Sequence, residues 1–584
     1  MAKSSKHPPV LAPTRHPIFK NVDLVLFIIF FVSLLLRWMI PATIVPNSPN
    51  DDFLGILQAN ALINGQWLGA WTPDILSKPP AYSFFLMFAH YVPVDPTVFI
   101  HIFYLLISML FLKYAADYFH DFDKFRKSFF RIGFLFLAFN PMLFANDFSR
   151  IYRTSLNTLA SLLFFTLILK LVFLLKAMLF SENGTLWIKT PIRRYLGVSL
   201  GLGLTYAVMI LTRSEGYWVL IPTMSLVVGI WIYSIVSNEV NWRLKKKYRS
   251  VIVLRNIFLI ALIGCILPVG IVSSINKSIY GVYQIENYYS GNFARAIKLW
   301  QGVESGKSSN LFIPVSKEQR AAVYGVSPAA LTLKPVLDGP PNTGWKIYNC
   351  SSSGICDESG GWFTWELRSA AVSQNNITNE VDFQKFFGRL ADQINSACES
   401  EALKCGKPGL APGVRALSDY PIHQLLDTSV KAFNSLLTVE QAANVGHPDH
   451  GQDAEKLKLW QSTITFKHLV IPDTSNSWQS MANTVKFLRN IYQVLLPLFF
   501  AIGISSIFLR RKSNDGIPDF YLIALLGGML ICSGGLAIVE SSFGMGIAYS
   551  LYALPMQPLL LAFIVLSFGN IAYKIGQLQT KNMD

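Results

Sequence analysis

Residues 47–80, NSPNDDFLGILQANALINGQWLGAWTPDILSKPP, place two adjacent carboxylates, Asp51 and Asp52, in one polar stretch with Trp67, Trp71 and a lone Lys78. A carboxylate within hydrogen-bond reach of a hydroxyl can serve as a general base, and a nearby cation can stabilise an anionic leaving group. Two other short stretches carry related side chains. Residues 146–153, Asn-Asp-Phe-Ser-Arg-Ile-Tyr-Arg, hold Asp147, Arg150, Tyr152 and Arg153, and residues 212–218 hold Arg213 and Glu215. Arg150 and Arg153 are three apart, so on a helix they would share a face and could clamp one phosphate. Plainer explanations stand beside each of these: acids favour the first turn of a helix, tryptophans collect at membrane interfaces, and basic side chains snorkel from span ends. Arg213 and Glu215 could simply pair with each other.

The elements that would hold these residues are hydrophobic. The chain has 584 residues, 52% hydrophobic and only 15% charged, with a mean hydropathy of +0.38, against about 25% charged for an ordinary soluble domain. Runs of about 20 mainly apolar residues occur near 22–45, 97–116, 130–146, 154–180, 196–212, 217–236, 256–274, 486–509, 517–540 and 547–572. The expectation is therefore a polytopic α-helical membrane protein with about ten transmembrane helices. The first run is too long for a cleaved signal peptide and lacks a small-residue cleavage site. Asn140-Pro141 predicts a break in the third run. Residues 81–92 are apolar but short and are followed by Pro93 and Pro96, which predicts an interfacial helix.

Charge sets the orientation. Alternate connections are basic: Lys3, Lys6, Arg15 and Lys20; then Lys124, Arg126, Lys127 and Arg131; then Lys189, Arg193 and Arg194. Later ones hold the 243–249 cluster and Arg510, Arg511 and Lys512, whereas the opposite short loops hold only Lys78, Arg150, Arg153 and Arg213. This positive-inside bias places the amino terminus in the cytoplasm and explains the net charge of +15 without nucleic acid. The four exceptions share the outer side with Asp51 and Asp52.

Taken in order, residues 1–21 read as a polar cytoplasmic arm. Arg37, inside the first span and near its outer end, reads as a snorkelling or packing residue. In the first outer loop, 46–96, Asn50 is a candidate helix cap with both acids in the first turn. Phe53, Leu54, Leu57 and Ala61 recur at helical spacing, so a helix through Asn64 can lie on the membrane and stop at Gly65. Residues 275–485 lack a long apolar run and are long enough for a mainly helical extracytoplasmic domain, with periodic segments at 317–337, 363–374, 379–403, 419–436 and 477–490. The C-terminal spans fill 486–584.

Four of the six cysteines fall in that domain. Of three connectivities, the local pairs Cys350–Cys356 and Cys398–Cys405 are favoured over a zinc site, whose usual spacings they fit poorly. Cys265 and Cys532 lie in spans and read as packing residues. No Walker A loop, dinucleotide fingerprint or internal repeat is present. Trp362 and Trp365 could stack on a glycan, although tryptophans in a small domain are more often core.

The acidic pair after the first span, Gly65-Gln66-Trp67, Lys78-Pro79-Pro80 and the arginine-bearing corners together resemble the GT-C glycosyltransferases that use polyprenyl-phosphate sugars. In pattern they are similar to aminoarabinose transferases of lipid A and protein O-mannosyltransferases. The resemblance covers roughly residues 20–235, giving a GT-C-like transmembrane module at 22–274, and departs from the usual Asp-Glu at Asp51-Asp52. It implies inverting transfer from a polyprenyl-phosphate-linked sugar donor to a hydroxyl of a glycan, lipid or protein acceptor on the outer face of a bacterial plasma membrane. It implies Asp51 as general base, Asp52 as an orienting, acceptor- or metal-binding group, and Asp147 as a second acidic position. Lys78, Arg150, Arg153 and Arg213 would hold the donor phosphate, and Trp67, Trp71, Tyr152 and Glu215 would contact substrate. One Asp-Asp pair leaves a divalent metal open. A transporter or flippase for a lipid-linked glycan and a non-catalytic envelope scaffold are the competing classes.

Overall fold

The computed structural model describes residues 23–40, 42–45, 50–92, 94–116, 123–179, 192–236, 244–443, 454–463, 476–508, 517–544, 546, 549 and 551–581. The arm at 1–21 and the basic residues Lys189, Arg510, Arg511 and Lys512 lie outside them. The protein is a polytopic helical membrane protein: among the described residues, eight helices are long and apolar enough to cross a bilayer. Two of the ten expected spans are shorter helices, Leu24–Trp38 and Leu220–Val236.

The first of these differs from the expected 22–45 for a local reason. Asp23 caps its start, accepting from Val25 N–H, but Pro41 cannot continue it, and residues 42–45 leave as extended chain. Thr43 pairs there with the 149–151 segment: Thr43 N–H donates to Ser149 O at 2.9 Å and Ile151 N–H to Thr43 O at 2.7 Å. This parallel bridge ties the start of the first polar loop to the second polar corner. Arg37 does not snorkel. It is fully buried and donates to Ser149 Oγ at 2.7 Å, Thr97 Oγ1 at 2.9 Å and Ile40 O at 3.1 Å, which fastens three segments beneath the site.

The break at Asn140-Pro141 is present: the helix Asp123–Ala138 ends, and Asn140 Oδ1 accepts from Met142 N–H to start a 3-10 turn, Pro141–Phe144. The helix Ala81–His90 is short and half-buried, as the flanking prolines predict. The run expected at 256–274 is the middle of a 37-residue helix, Leu244–Tyr280, about 55 Å long at 1.5 Å per residue. Gly281, with φ +80°, turns the chain out of it.

Two main hydrophobic cores follow. One runs through the bundle of spans. The other belongs to helices between residues 291 and 399, where Phe293, Trp300, Phe383, Phe386, Phe387 and Leu390 pack together. Helices here are explicitly capped: Ser316 and Gln319 form a capping box before Lys317–Tyr324, and Asn379 caps Glu380–Glu399. Cys350–Cys356 and Cys398–Cys405 are disulfide-bonded. Ile422–Thr438 instead packs Ala432 and Leu436 into the bundle core. The two parts interlock at Phe543, the end of the span Ile517–Phe543. Its ring fills the space beside Gly361 and Gly413, where an added Cβ would come within 2.4 Å and 3.0 Å of it.

Candidate functional site

Asp51 occupies the cap position of the helix Asp52–Ile63, but its side chain makes no capping bond. It turns outward instead. Asp51 Oδ1 lies 3.2 Å from Lys78 Nζ and accepts from Tyr152 Oη at 3.2 Å; Tyr152 Oη in turn accepts from Arg153 Nε at 3.2 Å. Lys78 lies at the far end of the same loop, so a helix, a Gly65 turn with φ +72° and the 66–80 segment are needed to close this contact. Burial pushes the Asp51 carboxyl up, but the fields of Lys78, Arg153 and Arg150 outweigh it and hold the group at about 2.

Asp52 is turned the other way. Its carboxylate, with no exposed side-chain surface, accepts from Arg150 Nε at 2.8 and 3.0 Å and from Val45 N–H at 2.8 Å. Burial opposes the charge on Arg150, but the adjacent Asp52 holds the guanidinium ionised, its pKa raised. The two neighbouring acids therefore have different surroundings: Asp52 joins the bridge segments 43–45 and 149–151, and Asp51 faces open space.

That space is a cavity of about 380 Å³. Asp51, Lys78, Arg153 and Arg213 line it, and the span Ile517–Phe543 contributes the apolar face Ile531, Cys532, Gly535, Leu536 and Val539 at helical spacing. The opposite wall comes from the 282–443 region through Tyr288, Trp362 and Trp365. Arg153 and Arg213 are buried rather than snorkelled. Arg213 lies 4.3 Å from the Tyr552 ring centroid and donates to Thr154 Oγ1 at 3.3 Å. Lys78 Nζ stands 5.3 Å from the Trp365 centroid and 5.8 Å from that of Tyr288, so aromatic faces add to its setting.

The structure thus brings Asp51, Lys78, Arg153 and Arg213 to one cavity, with Tyr152 directly behind Asp51. Asp52 and Arg150 do not line it. Arg150 and Arg153 do not share a helix face either: Arg150 has extended backbone, φ −67° and ψ 133°, and the helix begins only at Arg153. Both guanidinium groups lie over the Tyr152 ring, at 4.9 and 5.5 Å. Asp147 sits in the single turn Asn146–Ser149, off the cavity wall. Trp67 donates to Asn276 Oδ1 at 2.7 Å and Trp71 to Glu380 Oε2 at 3.0 Å, which docks the loop onto neighbouring helices. Glu215 falls in the turn Ser214–Val219, and its side chain lies outside the described residues.

A second set of contacts holds the lysine end of the loop. Arg368 Nε lies 3.4 Å from Asp74, its terminal nitrogen donates to Asn287 Oδ1 at 2.9 Å and to Pro73 O, and its guanidinium stands over the Phe293 and Phe383 rings. This buried arginine, together with Trp71, fixes residues 71–74 four to seven positions before Lys78. Cavity residues that the sequence reading did not single out include Tyr288, Asn157, Trp218, Tyr552 and Glu540. Of these, Glu540 carried a signal, being an acid at the end of an apolar run. Cys532 is buried as expected of packing, yet it also lines the cavity. Among the described residues, no three His, Cys, Asp or Glu side chains converge as a metal site would require.

No family model matches the chain, and no curated protein matches it. Among solved structures, the chain is similar to ArnT from Cupriavidus metallidurans in the apo state, at 12% identity and a TM-score of 0.27, covering 94% of this chain and 76% of that one.

Proposed function

We propose that this protein is a membrane glycosyltransferase of the GT-C type, transferring a sugar from a polyprenyl-phosphate donor to an acceptor hydroxyl on the extracytoplasmic face. One observation carries the reading. A carboxylate on the cavity wall, Asp51, shares a single cavity with Lys78, Arg153 and Arg213, and the same cavity runs against the apolar face of a membrane span. A phosphate on a long hydrocarbon chain needs both halves: cations for the charge, and an apolar helix face for the chain.

In the transfer, the acceptor oxygen attacks the anomeric carbon from the face opposite the phosphate. The new C–O bond forms, the bond from that carbon to the phosphate oxygen breaks, and the acceptor proton passes to Asp51. The leaving polyprenyl phosphate takes the electron pair. It is an anion already and requires cations more than a proton donor, a role that suits Lys78, Arg153 and Arg213. Asp52 and Arg150 act behind the site as the strut that keeps Asp51 facing the cavity.

The resting electrostatics fit this sequence of events. A carboxyl held at about 2 is a weak base near neutral pH. Donor phosphate competes for Lys78 and Arg153, the two largest of the three cationic fields that hold Asp51 down, so donor binding itself raises the basicity of Asp51. The base is strengthened once there is a sugar to transfer. With the basic connections in the cytoplasm, the cavity and the 275–485 domain lie on the outer side. The test is Asp51→Asn in purified protein with a polyprenyl-phosphate sugar. Turnover is expected to fall by about 100-fold or more while donor binding persists, and near-wild-type transfer would remove Asp51 from the base role.

A further inference from the structure

The cavity wall formed by Trp362 and Trp365 continues outward. Trp345 packs on both, its ring centroid 6.0 Å from Trp362 at an interplanar angle of 21° and 6.4 Å from Trp365 at 29°. Tyr348 extends the row, 5.5 Å from Trp345 and 5.6 Å from Trp362. Trp365 is buried, Trp345 and Trp362 are half-buried and Tyr348 is 44% exposed. The aromatic row therefore runs without interruption from the catalytic cavity to solvent.

The row is also rigid. The Cys350–Cys356 disulfide closes the helix Lys346–Ser353 onto the following turn. Asn349 Nδ2 donates to Ile355 O at 3.0 Å and Glu358 O at 2.9 Å. Gly360, at φ +53°, passes so near Asn349 that a Cβ there would lie 2.2 Å from Oδ1. The helix bearing Trp345 and Tyr348 thus cannot shift independently of the turn bearing Trp362.

Its surroundings distinguish between acceptor chemistries. Of the exposed polar side chains along this stretch, Asn342, Thr343, Ser351 and Ser369 are uncharged and Asp357, just past the disulfide, is acidic, and Trp345 Nε1 donates to Ser369 Oγ at 3.4 Å. Lys346, the cation in this stretch, is buried and committed to Gly339 O at 2.7 Å, so the row offers little to a phosphorylated lipid headgroup. Nor is there a strand edge for a peptide to pair with, since the described residues hold only isolated bridges. Flat aromatic faces with a neutral hydroxyl and amide rim suit pyranose rings: the C–H faces lie on the ring quadrupole, the hydroxyls bond the rim, and a pre-ordered platform loses little entropy on binding.

We infer that Tyr348, Trp345 and Trp362 form a track for a neutral oligosaccharide, which leads its end toward Asp51 and makes the acceptor a glycan. The word acceptor rests on the transfer reading above; the binding itself does not.

The experiment applies full-length protein in detergent to an array of neutral pyranose oligosaccharides (α- and β-linked glucans, mannans and galactans), Ser/Thr-rich peptides, and phosphorylated glycolipids. Retention on at least one oligosaccharide class is expected. Tyr348→Ala should weaken it roughly threefold to tenfold, the range for loss of one aromatic contact, and Tyr348→Phe should keep it. Tyr348 is 44% exposed and packs on Trp345 and Trp362, so the alanine variant is expected to fold with at most a small drop in its thermal transition, which is measured alongside. Retention of no oligosaccharide, retention of peptides or glycolipids in its place, or an unchanged Tyr348→Ala protein overturns the track. No donor is present, so failure here leaves the role of Asp51 standing, and a transfer-competent Asp51→Asn protein that still binds glycans would do the reverse.

Discussion

Lys78→Met tests the most specific feature of the site. The substitution removes the charge and keeps most of the stem that packs beside Trp365 and Tyr288. Lys78 is only 18% exposed and 3.2 Å from Asp51, so a phosphate displacing that carboxylate would make a charge-assisted contact in a partly dry site. Such contacts are worth about 1.5–3 kcal/mol, or roughly tenfold to hundredfold in affinity for a polyprenyl phosphate. The same change releases Asp51. Lys78 is the leading cation holding its carboxyl near 2 rather than 3.8, so the variant's Asp51 should titrate at higher pH. The sign follows from linkage: a carboxyl depressed in the folded state contributes stability that is complete above its unfolded pKa and lost as pH falls from about 4 toward 2. In the variant that contribution shrinks. Binding of polyprenyl phosphate, followed by native mass spectrometry or tryptophan quenching, is the assay, with Lys78→Arg as the charge-preserving control. An affinity within twofold of wild type, with an unmoved Asp51 titration, would refute the phosphate role of Lys78.

Three other outcomes are expected. Asp52→Asn leaves the Arg150 guanidinium without its buried counter-charge and should destabilise by about 3–5 kcal/mol; Asp52→Asn with Arg150→Gln should recover part of this, as read by thermal unfolding in detergent. Gly361→Ala drives a methyl toward the Phe543 ring and should cost about 1–3 kcal/mol, with Phe543→Leu restoring the loss. Arg368→Met breaks the contacts to Asp74, Asn287 and Pro73, freeing the loop before Lys78. It should raise the apparent Kd for polyprenyl phosphate with kcat at saturating donor less affected, whereas equal losses in both would assign Arg368 to the chemistry itself.

Much of the site was legible because membrane sequences concentrate polar groups where they are needed. Asp51, Lys78, Arg153 and Arg213 stood out against apolar spans, and all four reach one cavity. Residue type alone does not separate the two neighbours, and only the resemblance gave Asp51 and Asp52 different roles; in the structure the bridge between Thr43 and Arg150 accompanies the inward turn of Asp52 to Arg150. The same bridge keeps Arg150 in extended backbone and delays the helix to Arg153, which undoes the expected shared face. Trp67 and Trp71 carried the right chemistry for substrate, but hydrogen bonds to Asn276 and Glu380 use their polar edges for docking. The far wall was out of reach for a different reason. Tyr288 and Trp365 meet Lys78 only through packing across more than 200 residues of chain, and no local periodicity encodes that contact. The first span was misjudged in length because its apolar run continues past Pro41 into chain that pairs with the second corner.

The most direct measurement is a density map of the protein with a polyprenyl phosphate bound. Phosphate oxygens are expected within about 3 Å of Lys78 Nζ and of the Arg153 or Arg213 guanidinium, the hydrocarbon chain along Ile531, Gly535 and Val539, and the Asp51–Lys78 contact lengthened beyond its 3.2 Å. A phosphate bound elsewhere, with that ion pair intact and the cavity empty of lipid, would contradict the assignment of this cavity as the site of transfer.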